Sequence, residues 1–321
     1  MTLTQLEAFV LVARLGSVTA AARTLGVTEP AVSGALAALR LQLGDSLVER
    51  GPAGMALTPG GRRLVGIASQ MVSLAAEAED AIREAKGAPE RLRVVATSTI
   101  AESVAPALLA AFAARSGAMD VSLGVASGQE MGAILQERLA DLSLGPRLSG
   151  EAAQGLECVP LFRYRLVLVA APSHRLAGDG HVPLRALADQ TWLVDPDATD
   201  AGSPVHRLLE RLEVAERHVR VFPSQGSAWV AAQEGQGLAP AVAHLVAPEV
   251  ARGSLVRLHV EGTPVELLWH ATTLAPPRLG PAAASLRRFI GTPAATHAMH
   301  APLSGVPPSR FRPPVYVTIW S

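Results

Sequence analysis

Residues 17–36 read SVTAAARTLGVTEPAVSGAL, with small residues in the first half and a lone Gly26 between the halves. Ser17 or Thr19 can cap a helix that ends at Gly26, because glycine readily takes the left-handed conformation of a helix exit. Thr28 can cap a second helix, whose first turn tolerates the proline of TEPAVS since the N–H there has no helical partner. Two short helices joined by a three- or four-residue turn containing glycine predict a helix-turn-helix. A generic helical hairpin is the alternative, but the alanines allow the close crossing that favours the DNA-binding form.

Further patterns flank this pair of helices and complete a winged domain. Leu6, Phe9 and Val10 fall on one helical face before the pair. After it, LGDSLVERGPAGMALTPGGRRL (residues 43–64) predicts two short strands around a Pro/Gly turn, followed by a capped helix. Such a two-stranded ribbon is a wing, at whose start Arg50 can reach a minor groove or a phosphate.

Residues 3–66 resemble the N-terminal domain of LysR-type transcriptional regulators, through the elements Ala-Ala-x-x-Leu, Pro-Ala-Val-Ser, Leu-Gly and Leu-Thr-x-x-Gly. The resemblance implies a winged helix whose third helix enters the major groove. This chain has Gly34 where the family usually has a long polar residue, so apolar contacts and DNA shape are expected to carry more of the readout. The predicted DNA-binding residues are Ser17, Thr19, Thr28, Pro30, Ala31, Ser33, Arg40, Arg50 and Arg62. A solvated surface charge is the alternative for each arginine.

One long helix is predicted from Thr58 to Lys86. Its apolar residues recur at alternating three- and four-residue steps, as in a heptad seam. The seam consists of Leu64, Ile67, Ala68, Met71, Leu74, Ala75, Ala78, Ala81, Ile82 and Ala85. Packing on its own domain and pairing with an antiparallel partner are both open, and the family resemblance implies the dimer. Gly87-Ala88-Pro89 ends the helix and marks a domain boundary.

Strands and helices alternate in the remainder of the chain, which predicts a parallel α/β sheet. Strands are predicted at 91–97, 119–126, 141–145, 191–194, 217–222, 237–241, 254–260 and 265–273, with two more inside 157–172. Helices are predicted at about 100–115, 128–139, 203–213, 225–235, 242–248 and 280–290. We expect two lobes, because the chain leaves the first near residue 162 and returns near 265. Residues 91–290 resemble, more loosely, the effector-binding domain of the same family, which is similar in fold to periplasmic binding proteins.

Candidate effector-binding residues follow from this fold. Ligands in such sheets bind outside the carboxyl ends of strands, near helix N-termini. That rule selects Ser98, Thr99, Ser127, Asp195, Thr199, Gln225 and Ser227. Hydroxyls and free N–H groups at helix starts suit a carboxylate or another small anion, so an anionic effector is expected. Ordinary N-capping is the alternative for each single residue.

The predicted fold class is an N-terminal all-α winged helix-turn-helix with a long linker helix, followed by a C-terminal α/β two-lobed domain. The predicted domains are the DNA-binding head (1–62), the linker helix (63–87), the effector-binding domain (91–290) and a Pro-rich tail (292–321). Within the effector-binding domain, lobe I covers about 91–162 and 265–290, and lobe II covers about 163–264. Six prolines in the tail argue against a packed helix, and VYVTIW near its end has strand character.

Composition restricts the remaining function classes. The 321-residue chain has one cysteine, Cys158, expected in a buried strand, so no intrachain disulfide is possible and a cytoplasmic location is expected. The chain has no apolar run of about 18 residues, so no membrane span is expected. Lys86 is the only lysine and lacks a phosphate-binding loop around it, which argues against P-loop and Schiff-base enzymes. His297 and His300 have a metal-like spacing but no carboxylate or cysteine companion, so neither a metal nor a cofactor is expected.

The sequence therefore predicts a LysR-type transcriptional regulator with three partners: double-stranded DNA, a small-molecule effector, and itself in a homodimer or homotetramer. The alternative is a small-molecule binding protein or an enzyme that uses the α/β lobes without sequence-specific DNA binding. An enzyme needs a nucleophile–base pair or a set of metal ligands, and neither is visible, so no catalytic residue is predicted.

Overall fold

The structure is a computed structural model, and it describes residues 1–51, 54–116, 119–178, 180–261 and 263–300. Its helices are α1 (Leu3–Leu15), α2 (Val18–Leu25), α3 (Glu29–Leu43), α4 (Pro59–Ala85), α5 (Ser98–Glu102), α6 (Val104–Ser116), α7 (Gly128–Gln136), α8 (Pro204–Arg211), α9 (Gln225–Gln233), α10 (Ala247–Ala251), α11 (Pro281–Ile290) and α12 (Pro293–His300). Its strands are β1 (Val48–Gly51), β2 (Gly54–Leu57), β3 (Glu90–Ala96), β4 (Met119–Val125), β5 (Leu142–Gly145), β6 (Leu156–Ala170), β7 (Trp192–Val194), β8 (Val219–Val221), β9 (Leu238–Val242), β10 (Val256–Arg257) and β11 (Val265–Leu274). Short 3₁₀ turns lie at Gly150–Ala153, Leu184–Leu187, Pro196–Thr199 and Glu216–His218.

The first three helices and the wing form a compact head, as the sequence predicts. Ser17 rather than Thr19 caps α2, because its side chain accepts a hydrogen bond from the Ala20 N–H. Gly26 ends α2 in the left-handed conformation, with φ of 66°. The apolar faces of the helices, with Phe9 and Val32 among their members, meet in one buried core. Strands β1 and β2 pair antiparallel as the predicted wing.

Helix α4 has two apolar sides, one packed on its own head and one exposed, so its pairing with a partner stays a prediction. The side chain of Thr58 accepts a hydrogen bond from the Gly61 N–H and so caps the helix at its start. Ala68 and Val72 are buried in the core of the head. A second set on the same helix stays in solvent: Ile67 is 58% exposed, Met71 38%, Leu74 63% and Ile82 58%. The helix therefore packs on its own head and still presents an apolar stripe outward.

The C-terminal sheet is mixed, so the prediction of a parallel sheet is wrong at its centre. The strand order is β4-β3-β5-β11-β6-β9-β7-β8, with β10 on the side of β6. The pairs β3–β4, β3–β5, β7–β8 and β7–β9 are parallel, whereas β6 and β11 pair antiparallel with each other and with their neighbours. Strands β3–β5 with their helices form lobe I, β7–β10 with theirs form lobe II, and β6 and β11 run through both.

The prediction of two strands within 157–172 is also wrong. One strand, Leu156–Ala170, crosses from lobe I to lobe II without interruption. Its pairing with β11 shifts register between Trp269 and His270, so that Leu161, next to Pro160, has no partner in the ladder. Proline lacks the N–H that a regular ladder needs and is tolerated where the pairing is irregular. Pro160 therefore marks a local shift in a continuous strand and does not end it.

Three further predictions from the sequence need correction. The helix predicted at 100–115 is divided into α5 and α6, because Pro106 lacks an N–H and fits only the first turn of a helix. The helix predicted at 242–248 begins only at Ala247, since β9 extends to Val242. Cys158 is half-buried, with its Sγ 2.9 Å from Thr272 Oγ1.

The start of the tail is helical, contrary to the prediction. Helix α12 covers Pro293–His300 and buries Ala295 and Met299 in the core of lobe I. Pro293 occupies the first position of the helix, where proline is tolerated. The rest of the tail, including VYVTIW, lies outside the described residues.

Candidate DNA-binding surface and interlobe cleft

The N-terminal turn of α3 presents a row of exposed side chains. Thr28, Pro30, Ala31 and Ser33 are exposed, while Val32 between them is buried. Thr28 occupies the N-cap position but makes no capping hydrogen bond through its side chain. The helical period therefore divides this segment into a side that holds the head together and a side that is available to a partner.

Two of the predicted DNA-binding arginines hold the wing in place. Arg40 Nη2 donates to the carbonyl oxygen of Val48 at 3.0 Å, at the start of β1. Arg62 Nη1 donates to the carbonyl oxygen of Leu57 at 2.7 Å, at the end of β2. Arg40 is half-buried, whereas Arg62 remains exposed. Each guanidinium group thus positions one strand of the wing.

The other predicted contacts surround this surface. Thr19 lies exposed on α2, and Ser17 is engaged in capping that helix. Arg50 belongs to β1, where it is paired with Met55 of β2. The structure therefore places the predicted DNA-binding residues on α2, at the start and in the last turn of α3, in the wing and at the start of α4, all within the head.

A cavity of about 250 Å³ lies between the two lobes. Its lining residues come from seven separate parts of the chain and are Thr97, Thr99, Pro146, Arg147, Tyr164, Leu166, Asp195, Asp197, Asp200, Gly202, Ser203, Pro204, Val205, Arg207, Gln225, Val242, Leu267, Leu268 and Trp269. The Tyr164 and Trp269 rings stack with centroids 4.2 Å apart, on the two strands that cross between the lobes. The cavity thus has an aromatic wall and lies outside strand ends, as the fold predicts.

The structure brings three of the seven predicted effector residues into this cavity: Thr99, Asp195 and Gln225. The other four make local hydrogen bonds or contacts across the cleft. Ser127 caps α7 in a capping box with Glu130, and Ser227 forms one with Ser224 at the start of α9. Thr199 is exposed and donates to the carbonyl oxygen of Pro196. Ser98 Oγ donates to Asp197 Oδ1 at 2.8 Å, so it bonds to the other lobe.

Two carboxyl groups from lobe II, the buried Asp195 and the half-buried Asp197, face the start of α5. Thr99 Oγ1 donates to Asp195 Oδ2 at 3.0 Å, which adds a second bond across the cleft to that between Ser98 and Asp197. Burial, and next the neighbouring Asp197, raise the pKa of Asp195 to about 7. Burial also raises the pKa of Asp197, although the Ser98 hydrogen bond lowers it. The pKa of Glu102 is raised as well, mainly because the group is buried and secondly because the negative charge of Asp197 is near.

Sequence reasoning missed several cavity residues. Arg147 stands two positions after the end of β5, so the rule of strand carboxyl ends would have found it. Asp200 ends the acidic stretch DPDATD, from which the same rule selects the preceding residues, Asp195 to Thr199, but not Asp200 itself. Trp269 lies in the middle of a strand, and its sequence context contains no signal of a binding site.

Helix α7 connects this cleft with the head. At its start, a Cβ placed on Gly128 would lie 2.9 Å from Asp200 Oδ2 of the opposite lobe. Just past its end, Glu137 Oε1 accepts hydrogen bonds from Arg14 Nε at 2.6 Å and from Ser69 Oγ at 2.9 Å. Glu137 is 1% exposed, and Ala133 in the middle of α7 joins the core of the head. One helix of lobe I thus touches the opposite lobe, α1 and α4.

Within the described part of the chain, no group of three or more His, Cys, Asp or Glu residues is placed to hold a metal ion. Among the helices that the structure describes, none is long and apolar enough to cross a membrane.

Comparison with known proteins identifies the family. The family model described as a bacterial regulatory helix-turn-helix protein of the lysR family matches residues 3–62, and the LysR substrate binding domain matches residues 85–294. An HTH-type transcriptional regulator of Mycobacterium tuberculosis is 36% identical, with 100% of both chains covered. The RuBisCO operon transcriptional regulator of Allochromatium vinosum is 30% identical over 92% of this chain and 97% of the relative. The chain belongs to the LysR family of transcriptional regulators, as the resemblance in its sequence predicts.

Solved structures agree on the fold. ArgP from Mycobacterium tuberculosis matches with a TM-score of 0.57 at 22% identity, covering 92% of this chain and 96% of that chain. The regulatory domain of CcmR from Synechocystis PCC6803, solved in complex with 2-PG, matches with a TM-score of 0.53 at 25% identity, covering 63% of this chain and 95% of that chain. The predicted architecture of a helix-turn-helix head and a two-lobed α/β effector-binding domain is confirmed. The chain is a DNA-binding regulator and not an enzyme.

Proposed function

We propose that this regulator reads DNA with the exposed N-terminal turn of α3 and responds to a small molecule in the cleft between its lobes. The observation that carries the proposal is the division of α3 into a buried side and an exposed side at its start. Thr28, Pro30, Ala31 and Ser33 would enter the major groove, while Arg50 and Arg62 of the wing region would contact the DNA backbone. Such a protein acts in the cytoplasm, where the DNA is.

The exposed stripe of α4 supports pairing of two copies. Ile67, Met71, Leu74 and Ile82 are spaced for one helical face and lie in solvent in the single chain. Two copies joined along this stripe would present two α3 helices to a two-part DNA site. Pairing also doubles the number of phosphate contacts, which dominate the affinity for DNA.

Helix α7 supplies a physical route between effector and DNA. A ligand that changes how the lobes close would alter the contact of Gly128 with Asp200 at one end of the helix. The other end is bonded through Glu137 to Arg14 of the head and Ser69 of the linker helix. The two sites would thereby be coupled, as ligand-controlled DNA binding requires.

The test is a selection of bound fragments from genomic DNA at fixed salt, followed by footprinting of the fragments recovered. The wild-type protein is compared with Ser33→Glu, which places a negative charge on the exposed turn of α3. Thr296→Glu, on an exposed position of α12 in the effector-binding domain, makes the same change in net charge and serves as the control. We expect a two-part protected site with the wild type and the control, and its loss with Ser33→Glu. Equal protection by all three proteins would contradict the proposed reading surface.

A further inference from the structure

The charges in the interlobe cleft do not match the anionic effector that the sequence predicts. Ser98 and Thr99, expected to bind an anion, already donate hydrogen bonds to Asp197 and Asp195 of the opposite lobe. Asp200 adds a third carboxyl group to the lining. An anion entering beside these groups would meet like charges, and the Ser98 and Thr99 hydroxyls already have acceptors. The floor of the cleft is built for a donor of hydrogen bonds.

Asp195 has an oxygen to spare for such a donor. The residue is only 6% exposed and lines the cavity. Its Oδ2 accepts from Thr99, while its Oδ1 receives no hydrogen bond from any other residue that the structure describes. An ammonium group carries three donors and a positive charge, so it satisfies the open oxygen and removes the repulsion between Asp195 and Asp197.

The rim of the same cavity has the opposite charge. Arg147 of lobe I and Arg207 of lobe II both line the cavity and are exposed. Within the part of the chain that the structure describes, neither guanidinium group has a hydrogen bond or an ion pair. A guanidinium group is positively charged, and its planar donors fit the two oxygens of a carboxylate. Between floor and rim, the stacked rings of Tyr164 and Trp269 form an apolar wall.

We propose that the effector is a free amino acid, with its ammonium group on Asp195 and Asp197, its carboxylate towards Arg147 and Arg207, and its apolar part along Trp269. The proposal rests on the proposed function in one respect, that this cleft is the effector site. The cavity of about 250 Å³ fits a ligand of this size, since pockets for larger, drug-sized ligands begin at about 300 Å³.

The test measures ligand binding to the purified full-length protein by thermal shift and titration calorimetry. The probes are the twenty common L-amino acids, succinate and inorganic phosphate. For each amino acid that binds, the measurement is repeated with the analogue that lacks only the amino group. We expect at least one amino acid to raise Tm and its deaminated analogue to have no effect. Binding should weaken at least about tenfold in Asp195→Asn, which keeps the shape of the side chain and removes its charge. Asp189→Asn, on an exposed position outside the cavity, should bind as the wild type does.

The outcomes separate this proposal from the proposed function. No binding of any amino acid, equal binding of a deaminated analogue, or full binding in Asp195→Asn would each overturn the amino-acid assignment. Binding of succinate or phosphate alone would overturn it in favour of an anion and leave the cleft as effector site. DNA retardation by the same preparations is measured in parallel, and it tests the regulator independently of every ligand result.

Discussion

The polar side chains at the start of α3 are free in solvent, whereas Ser98 and Thr99 at the interlobe cleft are hydrogen-bonded within the protein. On α3, Thr28 and Ser33 stand in solvent, and the Thr28 side chain makes no capping bond. In the cleft, Ser98 and Thr99 are bonded to carboxyl groups of the other lobe. The first surface is open to a partner without rearrangement, whereas the second has its own hydrogen bonds to exchange. A ligand that engages Ser98 or Thr99 would have to replace these contacts between the lobes, and its binding would then change how the lobes close.

The largest expected effect concerns the other open surface of the head, the apolar stripe of α4. Leu74→Glu places a charge in the middle of the stripe and should convert the protein to monomers. DNA affinity should then fall about 100-fold, because half of the phosphate contacts are lost. Leu74→Met keeps an apolar side chain of similar size and should behave as the wild type. Light scattering after size exclusion measures the mass, and a Leu74→Glu protein of unchanged mass would exclude this interface.

The buried carboxyl groups of the cleft predict a dependence of stability on pH. Burial raises the pKa of Asp195 from 3.8 to about 7. Between these values the folded chain holds a proton that the unfolded chain has released. The free energy of unfolding should therefore fall as pH rises from 5 towards 7, by up to about 1.4 kcal/mol per pH unit for this group.

In the variant Asp195→Asn the side chain at this position cannot ionise, so its free energy of unfolding should fall less steeply with pH. Urea unfolding of both proteins between pH 5 and pH 8 measures the two slopes. Identical slopes would mean that Asp195 holds no such proton. The Asp195 carboxylate in the cleft would then already be charged at pH 5.

The close approach of the lobes at the start of α7 predicts the next effect. A Cβ on Gly128 would lie 2.8 Å from Pro146 Cγ and 2.9 Å from Asp200 Oδ2, closer than ordinary contacts. Gly128→Ala should therefore force the lobes apart and lower the stability by about 1–3 kcal/mol. Chemical unfolding measures the loss, and ligand titration should show a change in affinity at the cleft. An unaltered stability would show that the lobes separate freely at this point.

The smallest effect has the opposite sign and lies on α3. Gly34 is exposed on the helix, and among the described residues no atom outside the neighbouring helix backbone lies within 4 Å of a Cβ placed on it. Gly34→Ala should raise the stability of the head by about 0.5–1 kcal/mol, because alanine favours the helix more than glycine does. The same unfolding experiment serves as the matched control for Gly128→Ala. A loss of stability at Gly34 would mean that its backbone is not in ordinary helical geometry.

The sequence alone predicted the head far better than the cleft. Helix caps such as Ser17, exit glycines such as Gly26 and the seam of α4 are short-range signals, readable within a few residues. The cleft is assembled from segments up to about 170 residues apart, from Thr99 to Trp269, so no local pattern reveals which side chains will meet. The unbroken course of β6 past Pro160 was missed for the same reason, since the long-range partner β11 decides it.

The position of α7 has a mechanical consequence. Its nine residues make a rod about 13 Å long, fixed at one end beside Asp200 and at the other, through Glu137, to Arg14. A tilt of only about 10° around the cleft end would displace the far end by about 2 Å, more than a hydrogen bond can stretch. If the cleft controls DNA binding as proposed, the rod would act as a lever with a threshold. Small adjustments of the lobes would be absorbed, and larger ones would break the contact between Glu137 and Arg14.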